Sequence, residues 1–158
     1  MKEIKLTRGF VAQVDDEDYE YLNQFHWYPQ KGHNTYYAKR KIFHNGTQDT
    51  ILMHRDIMNT PKDMEVDHRD HDGLNNQKSN LRNCTHRQNQ INKIVISSSP
   101  YRGVTWVLKR KKWKIKARIK VYGRGIHLGY FRTEEMAALA YNEAAKKYFG
   151  EFAVLNII

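Results

Sequence analysis

The first part of the chain alternates short apolar stretches with polar turns, a pattern that predicts short strands and a few helices. Four such stretches predict strands, at residues 4–6, 10–14, 36–43 and 50–53. Asp15-Asp16 offers an N-cap and an acidic first turn for a helix that runs through Phe25. Asn45-Gly46 separates the last two strands. Because both residues tolerate positive φ, this dipeptide predicts a hairpin turn.

Residues 54–94 predict a strand–loop–strand–helix order that begins after one short helix. Residues 54–58 form that helix, and residues 65–69 and 81–84 are the two strands, with a polar loop between them. Thr85-His-Arg-Gln88 has the spacing of a capping box, in which the side chains at both ends satisfy each other's backbone N–H groups. It predicts a helix from there to about Ile94.

The sequence Ile96-Ser-Ser-Ser-Pro100 disfavours regular structure and predicts a joint between two units. We therefore expect a first domain at residues 1–96, a linker at 97–100 and a second domain at 101–158. A helix in the second domain should begin after a Thr133 cap and end at Gly150.

A strictly alternating strand at residues 113–121 dominates the second domain, with strands at 102–108 and 126–131 as its predicted neighbours. One set of alternate positions is apolar and should face a core: Trp113, Ile115, Ala117, Ile119 and Val121. The other set is basic and should lie uncovered on the opposite face: Lys114, Lys116, Arg118 and Lys120.

The charge of the chain is concentrated in this second domain. The whole chain of 158 residues has a formal net charge of +10, and its pI is about 9.7. Residues 1–96 have a net charge of +1 and residues 97–158 a net charge of +9. Between Gly73 and Thr133 there is no acidic residue. Strand alternation and aromatic residues run through this basic segment, so it predicts an ordered surface for a polyanion rather than a solvated tail.

Several other classes of protein are disfavoured by composition. A mean hydropathy of −0.82 and the lack of a long apolar run argue against a membrane span. The N-terminal Met1-Lys-Glu-Ile-Lys has no apolar signal-peptide core, so we expect an intracellular protein. Cys84 is the single cysteine, so neither an internal disulfide nor a structural zinc site built on cysteine pairs is expected.

The candidate chemistry lies at Asp67-His68, which is followed by Asn76, Asn80 and Asn89. Carboxylate and amide oxygens are ligands for a hard cation such as Mg²⁺, and an imidazole can deprotonate water near neutral pH. An isolated Asp-His pair is more often a surface ion pair than a catalytic site. An oxygen ligand beside an imidazole is nevertheless what hydrolysis of a phosphodiester needs, and the amides behind the pair can hold the ring or complete the coordination.

These residues resemble the motif of the HNH endonucleases, also called ββα-metal or His-Me finger nucleases. The wider stretch from Met53 to Asn92 is similar to the phage and intron homing endonucleases. The resemblance implies that Asp67 and Asn89 bind the metal, that His68 is the general base, and that Asn80 orients His68. The implied cofactor is Mg²⁺ or Mn²⁺, without a structural zinc. The family often has His at the position of Asn89.

Other residues near the motif have competing interpretations. Asp70 is the reserve metal ligand, although it precedes the Gly73 loop together with His71 and Asp72 and fits a role in shaping that loop. His54 fits a phosphate contact about as well as packing. Asn75-Asn76 fit turn contacts better than catalysis.

The second domain resembles the AP2/ERF DNA-binding domain. The matching pieces occur in order: Tyr101-Arg-Gly-Val104, Leu128-Gly-Tyr-Phe131, Thr133-Glu-Glu-Met-Ala-Ala138, Ala140-Tyr-Asn-Glu-Ala-Ala145 and Ala153-Val-Leu-Asn156. Trp113 departs from the pattern, because it stands four residues before Ala117 where the family usually has Trp two before. The resemblance implies a three-stranded sheet that enters the major groove. The implied DNA contacts are Arg102, Trp106, Lys114, Lys116, Arg118 and Lys120.

The two resemblances together imply an α+β protein with an N-terminal ββα-metal nuclease domain and an AP2-type sheet packed on one helix. The implied function is site-directed cleavage of double-stranded DNA with a single divalent metal, by a monomer or weak dimer that nicks one strand. We expect a phage-encoded protein in the cytoplasm or nucleoid of a bacterial host, without a membrane or small-molecule cofactor. A catalytically silent AP2-type regulator is the alternative, and a nonspecific defence or toxin nuclease is a weaker one.

Overall fold

The structure is a computed structural model that describes residues 1–44, 46–92 and 98–158. The chain divides into two compact units, Met1–Asn89 and Gln90–Ile158. Three predicted features lie outside the described residues: Asn45 of the hairpin turn, the helix end near Ile94, and the start of the linker at Ser97.

The N-terminal unit begins with a two-stranded antiparallel sheet of β1 (Lys2–Lys5) and β2 (Val11–Val14). Helix α1 (Asp16–Leu22) follows, and then an antiparallel sheet in the order β3 (Tyr28–Lys31), β4 (Tyr36–His44) and β5 (Thr47–Leu52). The core of the unit is built from fully buried apolar side chains: Ile4, Leu6, Ala12, Val14, Leu22, Trp27, Ala38 and Met53.

Two details of this unit differ from the sequence-based expectation. Strand β3 was not predicted, because Pro29 interrupts a short segment that has no apolar alternation. Asp15 stands at the N-cap position of α1 but makes no capping hydrogen bond. Its carboxylate accepts instead from Lys78 N at 2.8 Å and from Gln77 Nε2 at 3.2 Å. Asp15 therefore holds a distant loop in addition to starting a helix.

The rest of the N-terminal unit has the predicted strand–loop–strand–helix order. Helix α2 (Met53–Ile57) precedes β6 (Glu65–His68) and β7 (Leu81–Cys84), which pair antiparallel. Helix α3 (His86–Asn92, as far as it is described) follows after one residue. The capping box forms as expected, since Thr85 N donates to Gln88 Oε1 at 2.8 Å and Gln88 N to Thr85 Oγ1 at 3.3 Å.

The C-terminal unit is a three-stranded antiparallel sheet with one long helix packed on it. The strands are β8 (Val104–Lys109), β9 (Lys112–Val121) and β10 (Arg124–Phe131), with β9 in the centre. Helix α4 (Glu134–Phe149) begins as predicted, because Thr133 Oγ1 accepts from Met136 N at 3.2 Å. Small side chains let α4 approach the sheet closely, and those that are buried are Ala137, Ala138 and Ala145.

The predicted alternation of β9 is found at four of its five apolar positions. Ile115, Ala117, Ile119 and Val121 are buried. Trp113 was predicted to face the core as well, and this is wrong, because its side chain is 66% exposed. It pairs with Leu108 next to the β8–β9 turn, beyond the buried cluster that Ile115 forms with Val104 and α4.

Within the described part of the chain, no helix is both long and apolar enough to cross a membrane.

Candidate active site and nucleic-acid surface

Asp67 lies in the middle of the β6–β7 ladder and is almost completely buried, with 4% of its surface exposed. Its Oδ2 accepts two hydrogen bonds from Arg82, at 2.8 Å from Nε and 2.6 Å from Nη2. Asp67 and Arg82 are direct cross-strand partners. The carboxylate is thus held in place by a buried guanidinium, and the charge of each group is balanced by the other.

His68 ends strand β6 and is also buried. Its ring lies 5.0 Å from the ring of His54 and 5.8 Å from that of Tyr37, between centroids. The side chain of Asn76 is completely buried and lies close enough to His68 to raise the pKa of its ring. Asn76 Nδ2 donates to Leu74 O at 3.1 Å. Its buried carbonyl oxygen has no hydrogen-bond partner of ordinary geometry among the described residues, so that oxygen is the acceptor available to the ring.

Burial decides the protonation state of both histidines. Desolvation lowers the pKa of His68, although the Asn76 side chain and the charges of Asp70, Asp67 and Asp72 act in the opposite direction. Desolvation also lowers the pKa of His54, to about 3, with a smaller contribution from the His68 charge. Both rings are therefore neutral at pH 7. A neutral imidazole is the form that can accept a proton from water.

The hydrogen bonds of Asn80 go to the loop after His68 rather than to the His68 ring that it was expected to orient. Its Nδ2 donates to Asp70 Oδ1 and to Asn75 O, both at 2.9 Å, and its Oδ1 accepts from Asp70 N at 3.1 Å. Asn80 thus fastens the loop that follows His68 back onto the start of β7. Asn76, for which the sequence favoured turn contacts over catalysis, is the amide that acts on the ring and raises its pKa.

The Gly73 part of this loop packs tightly against strand β4. A Cβ at Gly73 would lie 2.5 Å from Tyr36 O and 2.6 Å from the ring of Tyr37. Gly73 N donates to Thr35 Oγ1 at 3.0 Å. Only glycine permits this approach, and the same Tyr37 ring contacts His68. Asp70 also serves the loop, since its Oδ1 accepts from Asp72 N at 2.9 Å.

Asn89, the second expected metal ligand, lies on α3 and contacts Glu65. Its Nδ2 donates to Glu65 Oε2 at 2.7 Å, and Glu65 Oε1 lies 2.7 Å from His86 Nδ1. Glu65 was missed by the sequence analysis. It stands two residues before Asp67 on the same strand, and side chains two apart share a face. That spacing was the available signal.

The donors around Asp67 fit a hard divalent cation. Glu65 and Asp67 share one face of β6, and Asn89 is joined to that face through Glu65. Carboxylate and amide oxygens are the ligands that Mg²⁺ and Mn²⁺ prefer. In the described part of the chain, no three His, Cys, Asp or Glu side chains cluster as a metal site. A site here would therefore depend on the amide of Asn89.

The basic side chains of β9 lie together on the uncovered face of the C-terminal sheet. Lys114, Lys116, Arg118 and Lys120 alternate with the buried residues of the strand. The guanidinium of Arg118 lies over Gly125, where a Cβ would overlap it. Tyr130 joins this face, with Lys109 Nζ 4.6 Å and Lys114 Nζ 5.7 Å from its ring centroid. No acidic residue occurs in β8, β9 or β10.

Arg102 and Trp106, the other two expected DNA contacts, are placed elsewhere. Trp106 pairs with Ile115, so it belongs to the face that carries α4, and its Nε1 donates to Glu134 Oε1 at 2.9 Å. Arg102 precedes the sheet, and its Nη1 donates to Ile91 O at 2.6 Å. The structure therefore brings together the three lysines and Arg118 of β9, and separates Trp106 from them.

The comparisons with known proteins agree with the motif. A profile of the HNH endonuclease family matches residues 59–91, which include β6, β7 and most of α3. An uncharacterized HNH endonuclease of Acanthamoeba polyphaga mimivirus is 34% identical over 152 residues, which cover 96% of this chain and 77% of that protein.

The C-terminal resemblance has weaker support. An AP2-like ethylene-responsive transcription factor of Arabidopsis thaliana is 38% identical over a stretch that covers 37% of this chain and 22% of that protein. No solved structure matches the chain significantly. The mimivirus protein matches 96% of this chain, and the strand–strand–helix motif is in place. The chain therefore belongs to the HNH endonuclease family.

Proposed function

We propose that the protein is a site-directed DNA endonuclease of the homing-endonuclease type, which hydrolyses phosphodiester bonds with a single divalent metal. The observation that carries this proposal is the arrangement on β6 and α3. A buried, neutral His68 directly follows Asp67 at the end of β6, and Asn89 of α3 donates a hydrogen bond to Glu65 of the same strand. A general base beside oxygen donors is what hydrolysis of a phosphodiester requires.

His68 acts as the general base in this proposal. Its neutral ring takes a proton from the attacking water, and the protonated imidazole is then balanced by the nearby carboxylates of Asp70 and Asp67. Asn76 and the rings of His54 and Tyr37 hold the imidazole in one orientation. Asn80 acts on His68 indirectly, because it fixes the loop that carries Asp70 and Asn75.

Asp67 and Asn89 are the residues that hold the cation, and Glu65 supports Asn89 from the same strand. A bound Mg²⁺ or Mn²⁺ supplies charge stabilisation for the phosphorane-like transition state and for the leaving 3′-oxygen. Arg82 holds Asp67 at Oδ2, so the carboxylate is fixed in direction.

We propose that the C-terminal unit selects the DNA site that is cut. Residues 101–158, after a linker at 97–100, bind DNA in the AP2 mode. The basic face of β9 meets the phosphates and guanines of the major groove. Lys114, Lys116, Arg118 and Lys120 are its members. Residues 1–96 then form the nuclease domain. One catalytic centre in a monomer nicks one strand in each encounter.

A DNA-binding regulator without cleavage activity is the second candidate. The ion pair between Asp67 and Arg82 favours it, because a guanidinium already balances the charge of the expected metal ligand. Incubation of the purified protein with supercoiled plasmid separates the two. The nuclease produces open circles with Mg²⁺ or Mn²⁺, loses this activity in excess EDTA, and regains it with either metal. Binding without any nicking under these conditions supports the regulator.

A further inference from the structure

Strand β4 carries a row of alternate side chains that leads away from the candidate active site. Tyr37, Lys39, Lys41 and Phe43 share one face, because side chains two apart on a strand project to the same side. Tyr37 at one end of this row contacts the ring of His68. At the other end, Phe43 is 76% exposed. The even-numbered positions, including the buried Ala38, face the core instead.

The neighbouring strands extend this row into a polar, cationic surface. Cross-strand partners share a face, so the row is joined by Gln30 beside Tyr37, Tyr28 and Leu52 beside Lys39, Thr50 beside Lys41 and Gln48 beside Phe43. We call this set the β4 face. The register of β3, β4 and β5 places no carboxylate on the β4 face. Asp49 pairs with Ile42, so its side chain lies on the opposite face of the sheet. Lysine, amide and hydroxyl groups without acids are the groups that contact a nucleic-acid backbone.

A cleft of about 480 Å³ lies on this face next to α2. It is lined by residues of the sheet, of α2 and of the segment that follows α2: Gln30, Lys39, Thr50, Ile51, Leu52, Arg55, Asn59 and Thr60. Asp56 also lines the cleft, but its Oδ2 is 3.2 Å from Arg40 Nη2, which balances its charge. Arg55 is fixed by bonds from Nη1 to Met64 O and from Nη2 to Pro61 O, both at 2.8 Å. The cleft is therefore a mainly polar depression beside Lys39, with a fixed Arg55 and two apolar residues of β5 in its wall.

We infer that the β4 face is a second DNA-binding surface, which holds the duplex next to the scissile phosphate. The positive and neutral composition fits a phosphate backbone, and the row begins at the residue that touches the proposed general base. At the far end, the exposed apolar side chain of Phe43 is suited to contact base steps, as the apolar side chains of minor-groove-binding proteins do. The position of the cut relative to this surface rests on the proposed function, whereas DNA binding by the β4 face does not.

The length of the row predicts where its contacts fall. Phe43 lies six positions after Tyr37, which corresponds to about 20 Å of strand at about 3.3 Å per residue. At about 3.4 Å per base pair, this is roughly 6 base pairs of duplex. We therefore expect the contacts of the β4 face to lie within about 6 base pairs of the nick, on one side of it.

The test uses the full-length chain with His68→Ala, which prevents cleavage, and a 40-base-pair duplex centred on the nick that the wild-type protein makes in plasmid DNA. The test variant adds Lys39→Gln and Lys41→Gln. The matched control adds Lys5→Gln and Lys31→Gln, which remove the same charge from the same unit. Lys31 lies on the opposite face of the same sheet, since it pairs with Tyr36. Circular dichroism checks that both variants are folded.

Two measurements are made on each variant. Salt titrations of binding should show that the log–log slope decreases by about 2 in the test variant, because two phosphate contacts are lost. The control should keep the slope of its parent. Hydroxyl-radical footprinting should show that the test variant loses protection only in the segment next to the nick. Phe43→Ser should weaken protection at the far end of that segment without a change in slope.

An unchanged slope and footprint for the Lys39→Gln, Lys41→Gln variant would overturn the proposal, as would an equal effect in the control. If the wild-type protein makes no nick, the proposed function fails but the surface is still tested. The salt titration is then done on a duplex of random sequence, where the same decrease in slope supports DNA binding by the β4 face.

Discussion

The carboxamide of Asn89 donates from Nδ2 to Glu65 Oε2 across 2.7 Å, so its two ends are not interchangeable. Because an ionised carboxylate only accepts hydrogen bonds, Glu65 selects the amino end of the amide. Asn89 Oδ1 is then the end turned away from Glu65. A cation needs that oxygen, and a flipped amide would present N–H groups to it. Glu65 is thus a positioning residue for the metal-binding role proposed for Asn89.

We expect Glu65→Ala to weaken metal binding by about 10–100-fold, the usual cost of losing a group that orients a ligand. The measurements are direct Mn²⁺ binding by electron paramagnetic resonance and the Mn²⁺ concentration that gives half-maximal nicking. Asn89→Asp added to Glu65→Ala should restore binding, because both ends of a carboxylate are oxygen. Asn89→Asp alone should be impaired, since it places a second carboxylate against Glu65.

His86→Ala is the matched control for this set. It removes the neighbour 2.7 Å from the other oxygen of Glu65 and leaves the bond to Asn89, so metal binding should change little. Normal Mn²⁺ binding by Glu65→Ala, or no recovery in the double variant, would show that Glu65 does not orient Asn89.

His68→Ala should abolish nicking and leave the affinity for duplex DNA nearly unchanged, because the buried ring acts on the proton of water rather than on the DNA backbone. Asp67→Ala should abolish nicking through loss of metal binding. It also leaves the buried guanidinium of Arg82 without its carboxylate, so a loss of stability on the order of 3 kcal/mol is expected as well. Plasmid nicking and fluorescence anisotropy of labelled duplex check these outcomes. Residual nicking at the wild-type rate by folded His68→Ala protein contradicts the assignment.

His54 should make the N-terminal unit sensitive to acid. Its pKa is lowered from 6.5 to about 3 by burial, so below pH 6.5 the unfolded chain binds a proton that the folded unit excludes. The free energy of unfolding therefore decreases as the pH falls from 6.5 towards 3. Between pH 7 and 4.5 this single group should lower the free energy of unfolding by about 3 kcal/mol, at about 1.4 kcal/mol for each pKa unit.

His54→Leu should remove this part of the pH dependence, whereas His26→Gln, which changes an exposed histidine of the same unit, should not. Urea unfolding at pH 7 and pH 4.5 measures the difference. Replacement of Trp106 and Trp113 by Phe leaves Trp27, which is buried in the N-terminal core, as the single tryptophan that reports on this unit. Equal acid destabilisation in wild-type and His54→Leu protein would be inconsistent with a buried neutral His54.

The order of β6, β7 and α3 could be predicted because local signals determine it. Alternation marks the two strands, and the Thr85–Gln88 capping box fixes the start of the helix. The contacts of the loop between the strands could not be predicted. Asn76 N donates to Gln13 O at 2.7 Å, and Lys78 N donates to Asp15. These partners are about sixty residues distant in sequence, so spacing alone could not decide whether Asn76 or Asn80 reaches His68.

The same limit explains the errors in the C-terminal sheet. Alternation correctly divides β9 into two faces, but it does not give the extent of the sheet that α4 covers. Trp113 therefore lies on the predicted face and is still exposed. Trp106 was expected at DNA from its position in the motif. Its register with Ile115 places it on the helix face, and register depends on pairing rather than on composition.

Lys120 and Trp106 should differ in their effect on DNA binding, because they lie on opposite faces of one sheet. In full-length His68→Ala protein, Lys120→Gln should lower the log–log salt slope by about 1 on target and scrambled duplexes alike, since it removes one phosphate contact. Arg118→Gln should instead lower the binding free energy by about 1–3 kcal/mol on the target duplex alone, if Arg118 pairs with guanine.

Trp106→Phe should leave DNA affinity unchanged. It should lower the free energy of unfolding by about 1 kcal/mol, because it loses the bond to Glu134. Lys147→Gln on α4 is the charge-matched control. Salt-independent binding, or a loss of affinity in Trp106→Phe as large as that in Lys120→Gln, would show that the basic face of β9 is not the DNA-binding surface.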